Sequence, residues 1–461
     1  MPGERPRSEP PQAGARRRGQ VRADEAAAKW YTRRMKKILL LLATLPLARA
    51  FAQTDAPETI AYRTLLNEEG SLGIVKHFTP ADYSGAYDAS KPFPAYDGSS
   101  GEMYQVDVVG ADLRGYDLRD RYNDLIHSSF DTKTKWPDAL PEGFDPQAIM
   151  ETGKDPGLGV RELHRRGITG KNVGIAVLDS WLYPDHDEYR ERLKGYEEIH
   201  AFEEPTPHGT AVASLAVGKN VGVAPGADLY YVAVTSGLFG KGTFEYDYAY
   251  LASAIDRIRA INKSLPASGK IRVLTITLRI KPERKNYDAV MRAIRDAERD
   301  GIFVVYVGCR DYRGLYRDPS ANPNDSESYR PGLYWSAKFF ADGQSTLGQG
   351  DDAPPPLLVP SDSRCAASPS GASEYAFDSE GGLSWAVPYL AGAYALACQA
   401  CPGVTPEAFW KAALETGKTV TIAKDGKSYR LGKIIDPEGI IDALADTSYD
   451  NRNEGEPSWT N

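Results

Sequence analysis

Three side chains carry the types and settings that chemistry requires. Asp179 ends the apolar run Val173-Gly-Ile-Ala-Val-Leu178, where a carboxylate has no packing role. His208 opens the small-residue stretch His208-Gly-Thr-Ala-Val-Ala-Ser-Leu-Ala-Val-Gly218. Ser384 follows a glycine pair in Gly381-Gly-Leu-Ser-Trp-Ala-Val-Pro388. A serine hydroxyl is a poor nucleophile until a base takes its proton, and an imidazole base needs an acidic partner to fix its tautomer. Asp, His and Ser supply those roles. A helix beginning at Ser384 would add a backbone N–H and a favourable dipole for a developing oxyanion. The structural reading of Ser384 and His208 is plainer, since polar residues commonly open helices.

Such residues act only if the elements between them bring them together. Val173–Leu178 and Leu229-Tyr-Tyr-Val-Ala-Val234 read as buried strands, the second preceded by the turn Ala224-Pro-Gly226. Leu251, Ala254, Ile255, Ile258 and Ile261 recur at helical spacing. A strand over Val273–Leu278 follows. Next comes a helix with Tyr287, Val290, Met291, Ile294 and Ala297 on one face, capped at Gly301, and then a strand over Ile302–Val307. Apolar strands alternating with amphipathic helices predict an α/β fold, a doubly wound, mostly parallel sheet with helices on both faces. Sites in such sheets gather at the carboxyl ends of the strands. Cys309–Pro356, rich in Asp, Asn, Pro, Gly and Tyr, reads as a long irregular surface insertion.

The chain order Asp, His, Ser, with its flanking residues, resembles the subtilisin-like serine proteases. Gly167-Ile-Thr-Gly-Lys-Asn-Val-Gly-Ile-Ala-Val-Leu-Asp179-Ser180 is similar to the family's first strand and Asp motif, and His186 matches a further feature of it. His208-Gly-Thr, followed by Gly222-Val-Ala-Pro-Gly-Ala-Asp228, resembles the His motif. Gly382-Leu-Ser384-Trp-Ala-Val-Pro388 resembles the G-T-S-M-A-x-P motif. The three motifs lie in order over roughly residues 157–445. The resemblance implies peptide-bond hydrolysis through Asp179, His208 and Ser384 and an acyl-enzyme, with a protein or peptide substrate and no required cofactor. Calcium is common in the family, and no ligand set for it is assigned here.

The departures from the family sharpen the expectations. Where the family has Gly-Asn, with an amide that donates to the oxyanion, this chain has Gly308-Cys309. A thiol is a weak donor. Losing one oxyanion donor costs about 10²–10³ in kcat, a magnitude measured within this same family. Either a donor from the Cys309–Pro356 loop substitutes, or turnover is slow. The family's substrate-lining Ser-Leu-Gly reads Thr277-Leu278-Arg279. Arg279 places a long cation where a substrate side chain enters, which either favours acidic residues beside the cleaved bond or obstructs the pocket. Asp179-Ser-Trp181 also lacks the usual glycine after serine. These departures support a second reading, a weak or inactive pseudoprotease that binds peptides or a partner protein.

Composition excludes other classes. The 461 residues are 41% hydrophobic and 26% charged, which is ordinary globular usage. Residues 1–52 carry 12 Lys/Arg against 4 Asp/Glu, a net of +8, so residues 53–461 stand at −16 within the chain's −8. A main body that acidic argues against nucleic acid as a partner. Gly237–Thr243 does not meet phosphate-loop spacing, which removes a nucleotide-binding reading. Met35-Lys-Lys, the apolar Ile38–Leu42 and the small residues Ala48, Ala50 and Ala52 read as a secretory signal peptide over residues 35–52. Residues 1–34 then read as an upstream disordered extension. A secreted or cell-surface location is expected, with no stable membrane span after cleavage. Residues 53–156 are expected to be an accessory or pro-region, 157–445 the peptidase domain and 446–461 an acidic flexible tail. Cys309, Cys365, Cys398 and Cys401 allow three disulfide pairings, and spacing does not choose among them.

Overall fold

Buried on every residue, the strand Gly174–Asp179 is the centre of the molecule. The structure is a computed structural model that describes residues 62–65, 78–100, 102–201, 206–240, 243–341 and 355–453. The expected signal peptide and the extension before it lie outside the described residues. Six strands form the main sheet, in the order Tyr62–Thr64, Leu193–Ile199, Asp228–Val234, Gly174–Asp179, Ile271–Ile276 and Phe303–Tyr306. All neighbours are parallel except Tyr62–Thr64, an antiparallel edge.

The side chains of the central strand divide between two faces. Ile175 and Val177 join the core beneath the helices Pro207–Val217 and Leu383–Ala400. Ala176 and Leu178 join the core beneath Ala249–Ser264 and Tyr287–Arg299. A strand covered on both faces is apolar at every position, which is why no alternation marks it. Each fully buried Val, Ile or Leu contributes about 1.5–3 kcal/mol. The two amphipathic helices bury the faces their spacing predicts, Leu251, Ala254, Ile255 and Ile258 in one and Val290, Ile294 and Ala297 in the other. From Gly174–Asp179 the chain builds one side of the sheet first and then crosses to Ile271–Ile276 on the other. The carboxyl ends of those two strands therefore flank the switch point of a doubly wound sheet.

The structure adds detail to three expectations about the periphery. Residues before Gly157 do not pack as a unit apart. Ser128–Asp131 pairs antiparallel with Tyr375–Asp378, setting Phe130 opposite Phe377 with ring centroids 5.2 Å apart. Val106, Leu113, Leu118, Phe130, Phe144 and Met150 share one core with Cys365 and Phe377. Residue 156 is thus no packing boundary, because the hairpin leading to Ser384 is completed by strands from the N-terminal segment.

The Cys309–Pro356 insertion is not structureless either. It contributes the strands Tyr312–Arg317 and Tyr329–Pro331 and the helix Leu333–Ala341. Tyr312–Arg317 pairs in parallel with Leu357–Pro360, beyond which the hairpin Lys418–Lys424 and Lys427–Ile434 extends a five-stranded sheet. Partners that distant leave no local hairpin signal in the sequence. At the C-terminus, the expected tail from residue 446 is helical to residue 453, within Pro437–Asn453. All four cysteines are free thiols. No helix among the described residues is long and apolar enough to cross a membrane.

Candidate active site

Asp179 is the last residue of the central strand, at the switch point, with its side chain 5% exposed. Ser180 N–H (2.7 Å) and Ser180 Oγ (3.0 Å) donate to Oδ1, and Thr277 Oγ1 donates to Oδ2. His208 Nδ1 lies 2.9 Å from Oδ1 and 3.1 Å from Oδ2. A nitrogen shared with a carboxylate in this way carries the ring proton, leaving Nε2 as the basic nitrogen. Ser180 Oγ also bonds Thr206, the residue before the His208 helix, so the strand end and the helix start are tied together.

Burial and pairing compete in this pair. Burial pushes the Asp179 carboxyl up, yet the His208 charge and the hydrogen bonds from His208, Thr277 and Ser180 outweigh it and hold the group below its ordinary value. Burial pushes His208 down, but the Asp179 carboxylate, with Asp378 adding to it, leaves the imidazole above its ordinary value. Gly209 allows this geometry. A Cβ there would overlap the Tyr231 hydroxyl and the Ser180 carbonyl, so the His208 helix sits this close to the sheet only through glycine.

Ser384 is the second residue of the helix Leu383–Ala400 and is partly exposed. First-turn N–H groups have no acceptor within their own helix. Pro388, four residues on, has no N–H to give the Ser384 carbonyl. The neighbouring Trp385 ring lies 5.4 Å from the His208 ring, tilted by 60°, which brings the start of this helix beside the imidazole. Among the described residues, Ser384 Oγ has no hydrogen-bond partner, so no bond joins it to His208.

The loop before Ser384 is held by two buried carboxyls that no sequence motif marks. Asp362 Oδ1 accepts from Gly381 N (3.0 Å), Gly382 N (3.1 Å) and Ser361 Oγ (3.1 Å), while Oδ2 accepts from Leu333 N (3.0 Å). Glu380 accepts from Tyr104 N at 2.8 Å, and burial pushes its carboxyl up to about 8. Ser379 Oγ donates to His127 O at 2.7 Å. A small cavity beside Trp385 is lined by Tyr83 and Val109 as well as Pro207 and Asp378. The N-terminal segment therefore reaches the site itself. The one local hint in sequence was Asp362 itself, an Asp after the apolar run Leu357-Leu-Val-Pro360, the setting that singled out Asp179.

The other expected residues divide. Thr277, expected in a substrate wall, spends its hydroxyl on Asp179. Leu278 and Arg279 follow it, both partly exposed. Cys309 stands at the neighbouring strand exit with its N–H on Tyr306 O (3.0 Å), and burial pushes its thiol up to about 11, so it is neutral at physiological pH. His186 is buried and structural, with Nδ1 receiving Glu188 N and Nε2 on Glu374 O. Calcium needs six to eight oxygen ligands. Among the described residues no cluster of His, Cys, Asp or Glu could hold a metal. The buried Glu188 carboxylate is already taken by Asn220, Val221 and Tyr375 donors.

Residues 170–433 match the Subtilase family. The subtilisin-like protease PopC of Myxococcus xanthus is 26% identical over 171 residues, 34% of this chain and 36% of that protein. Subtilisin E of Bacillus subtilis is 28% identical over 163 residues, 28% of this chain and 42% of that protein. The chain thus spans about two fifths of the length of the curated relatives it matches. Among solved structures, the prenylagaramide maturation protease PagA aligns with a TM-score of 0.42 at 18% identity, over 62% of this chain and 98% of that one. A protease of Pseudoalteromonas arctica aligns with a TM-score of 0.43 at 18% identity, over 65% and 98%.

Proposed function

The chain belongs to the subtilase family, and from that premise we propose that it is an exported serine endopeptidase with Asp179, His208 and Ser384 as its triad. The observation that carries the reading is the His208–Asp179 pair, set beside the first turn of the helix that bears Ser384. His208 Nε2 takes the Ser384 proton as Oγ attacks a peptide carbonyl, and Asp179 stabilises the imidazolium that forms. The backbone N–H at Ser384, at a helix start, faces the developing oxyanion. As the carbon–nitrogen bond breaks, His208 returns the proton to the leaving amine. Water then gives a proton to His208 and attacks the ester, and Ser384 recovers its hydrogen. The basic, apolar and small-residue segments of residues 35–52 support export.

Fluorophosphonate labelling and peptide hydrolysis by the full chain, beside Ser384→Ala, test this. Labelling and hydrolysis that both vanish in the variant are expected. Hydrolysis retained by Ser384→Ala would overturn the assignment. The open Ser384–His208 gap and the thiol at Cys309 favour a peptide-binding pseudoprotease as the second reading; a wild type that is folded and unlabelled would point either to it or to inhibition by the N-terminal segment.

A further inference from the structure

Two arginines are buried where the N-terminal segment, the insertion and the Ser384 helix meet. Arg317 ends the insertion strand Tyr312–Arg317 and is 1% exposed, and Arg364, 2% exposed, opens the strand Arg364–Ala367. Arg317 Nη2 donates to the carbonyl of Ser363, the residue before Arg364, at 3.0 Å. Its Nη1 donates to the carbonyls of Asp318 (3.0 Å), Pro319 (3.0 Å) and Ala321 (2.9 Å). Arg364 is less well served. Its guanidinium carbon lies 5.8 Å from the centre of the Tyr389 ring, on the Ser384 helix, and Nη2 donates to Val221 O (3.1 Å). Among the described residues, its buried Nε and Nη1 have no acceptor.

The charges do not balance either. Burial lowers both guanidiniums from their ordinary value, and Arg317 repels Arg364. The carboxylate whose charge both feel is Asp155, and its oxygens are taken, Oδ1 by Gly157 N (2.9 Å) and Oδ2 by Asn324 Nδ2 (3.0 Å). The neighbouring phenols are no substitute. Burial pushes Tyr389 up and Tyr329 up to about 12, and their hydroxyls donate to Gly157 O and Pro323 O. Arginine keeps its proton in proteins, and a buried charge without a partner is costly. Water would complete the hydrogen bonds and leave the charge unanswered. We propose that Arg364 binds one small inorganic anion, chloride in physiological solution, through the guanidinium nitrogens that lack a protein acceptor, with Arg317 adding a second positive charge. Sealed from solvent, the place suits a monatomic ion rather than a substrate carboxylate. The anion ties the strand Arg364–Ala367 to the insertion and to the Ser384 helix, so its binding stabilises the fold whether or not the chain is a peptidase.

The test uses the full chain, exchanged into sodium gluconate and titrated with sodium chloride at constant ionic strength. The Tm is expected to rise saturably, by at least about 2 °C on adding about 100 mM chloride. Bromide should substitute, and crystals grown in bromide should show its anomalous peak within hydrogen-bond reach of Arg364 Nε or Nη1. Arg364→Met, which keeps an apolar side chain of similar reach without the charge, should abolish the chloride response. A wild-type Tm indifferent to chloride, a response that survives Arg364→Met unchanged, or no bromide peak at Arg364 overturns the proposal. If Arg364→Met does not fold, the wild-type titration and the bromide peak decide it together. None of these readouts needs catalysis, so failure here leaves the endopeptidase reading untouched.

Discussion

At the scale of single residues, four hydrogen bonds converge on Asp179, from His208, Thr277 and, twice, Ser180. They keep it ionised in a buried place and so keep His208 oriented and basic. Catalysis needs the neutral imidazole, so kcat/KM should rise with pH through a value above the ordinary histidine 6.5. Asp179→Asn should lower that apparent pKa and cut kcat about 10⁴-fold, because the wrong tautomer is then held. A pH–rate profile of both proteins checks this, and an unmoved midpoint in Asp179→Asn would show that the carboxylate does not act on the base. The sign for stability is opposite. His208 is raised by its partner, so the pair's stabilisation is full below pH 6.5 and fades as pH rises through the folded value. Asp179, His208 and Ser384 were legible as residues because each sits in a local motif. The Thr277 bond to Asp179 was not legible, because nothing in Thr277-Leu278-Arg279 says which way a hydroxyl turns.

At the scale of elements, the loop before the Ser384 helix depends on a carboxylate from a different strand end. Asp362 accepts from three backbone N–H groups, two of them in the glycine pair that leads to Ser384. Asp362→Ala would leave those buried donors unpaired, each at about 1–3 kcal/mol. The expected loss is at least about 3 kcal/mol of stability, with slower fluorophosphonate labelling of the fraction that folds. Urea unfolding measures the first and labelling kinetics the second. An unchanged urea midpoint would mean that Asp362 does not hold the loop. The helices themselves were legible from periodicity, and the parallel strands from their apolar runs. The strands Tyr312–Arg317 and Tyr329–Pro331 were not: they pair with each other across an irregular loop, the first also needs the distant Leu357–Pro360, and their residues mimic a loop.

At the scale of the whole molecule, the N-terminal segment and the peptidase fold are one packed body. Phe130, Phe144 and Met150 cover Phe377 and Cys365, and Tyr104 N–H satisfies Glu380 four residues before Ser384. A chain beginning at Gly157 would expose that core and strand the edge at Tyr375–Asp378. It is expected to lose cooperative unfolding and Ser384 labelling together, seen by circular dichroism and a fluorophosphonate probe. A truncated chain that melts cooperatively and labels at the wild-type rate would show that residues before 157 are not needed for the packed site.

The sequence by itself determined the doubly wound core and the identity of the three catalytic candidates. Both are written in short-range order, as apolar runs, helical periods and motifs a few residues long. Tertiary structure alone decided what surrounds them: the Thr277 bond to Asp179, the two carboxyls bracing the Ser384 loop, the N-terminal strands against Tyr375–Asp378, and the Arg317 bond to Ser363 beside the buried Arg364. Each joins segments far apart in the chain, and such contacts are selected by the packing of the whole molecule rather than by the residues on either side.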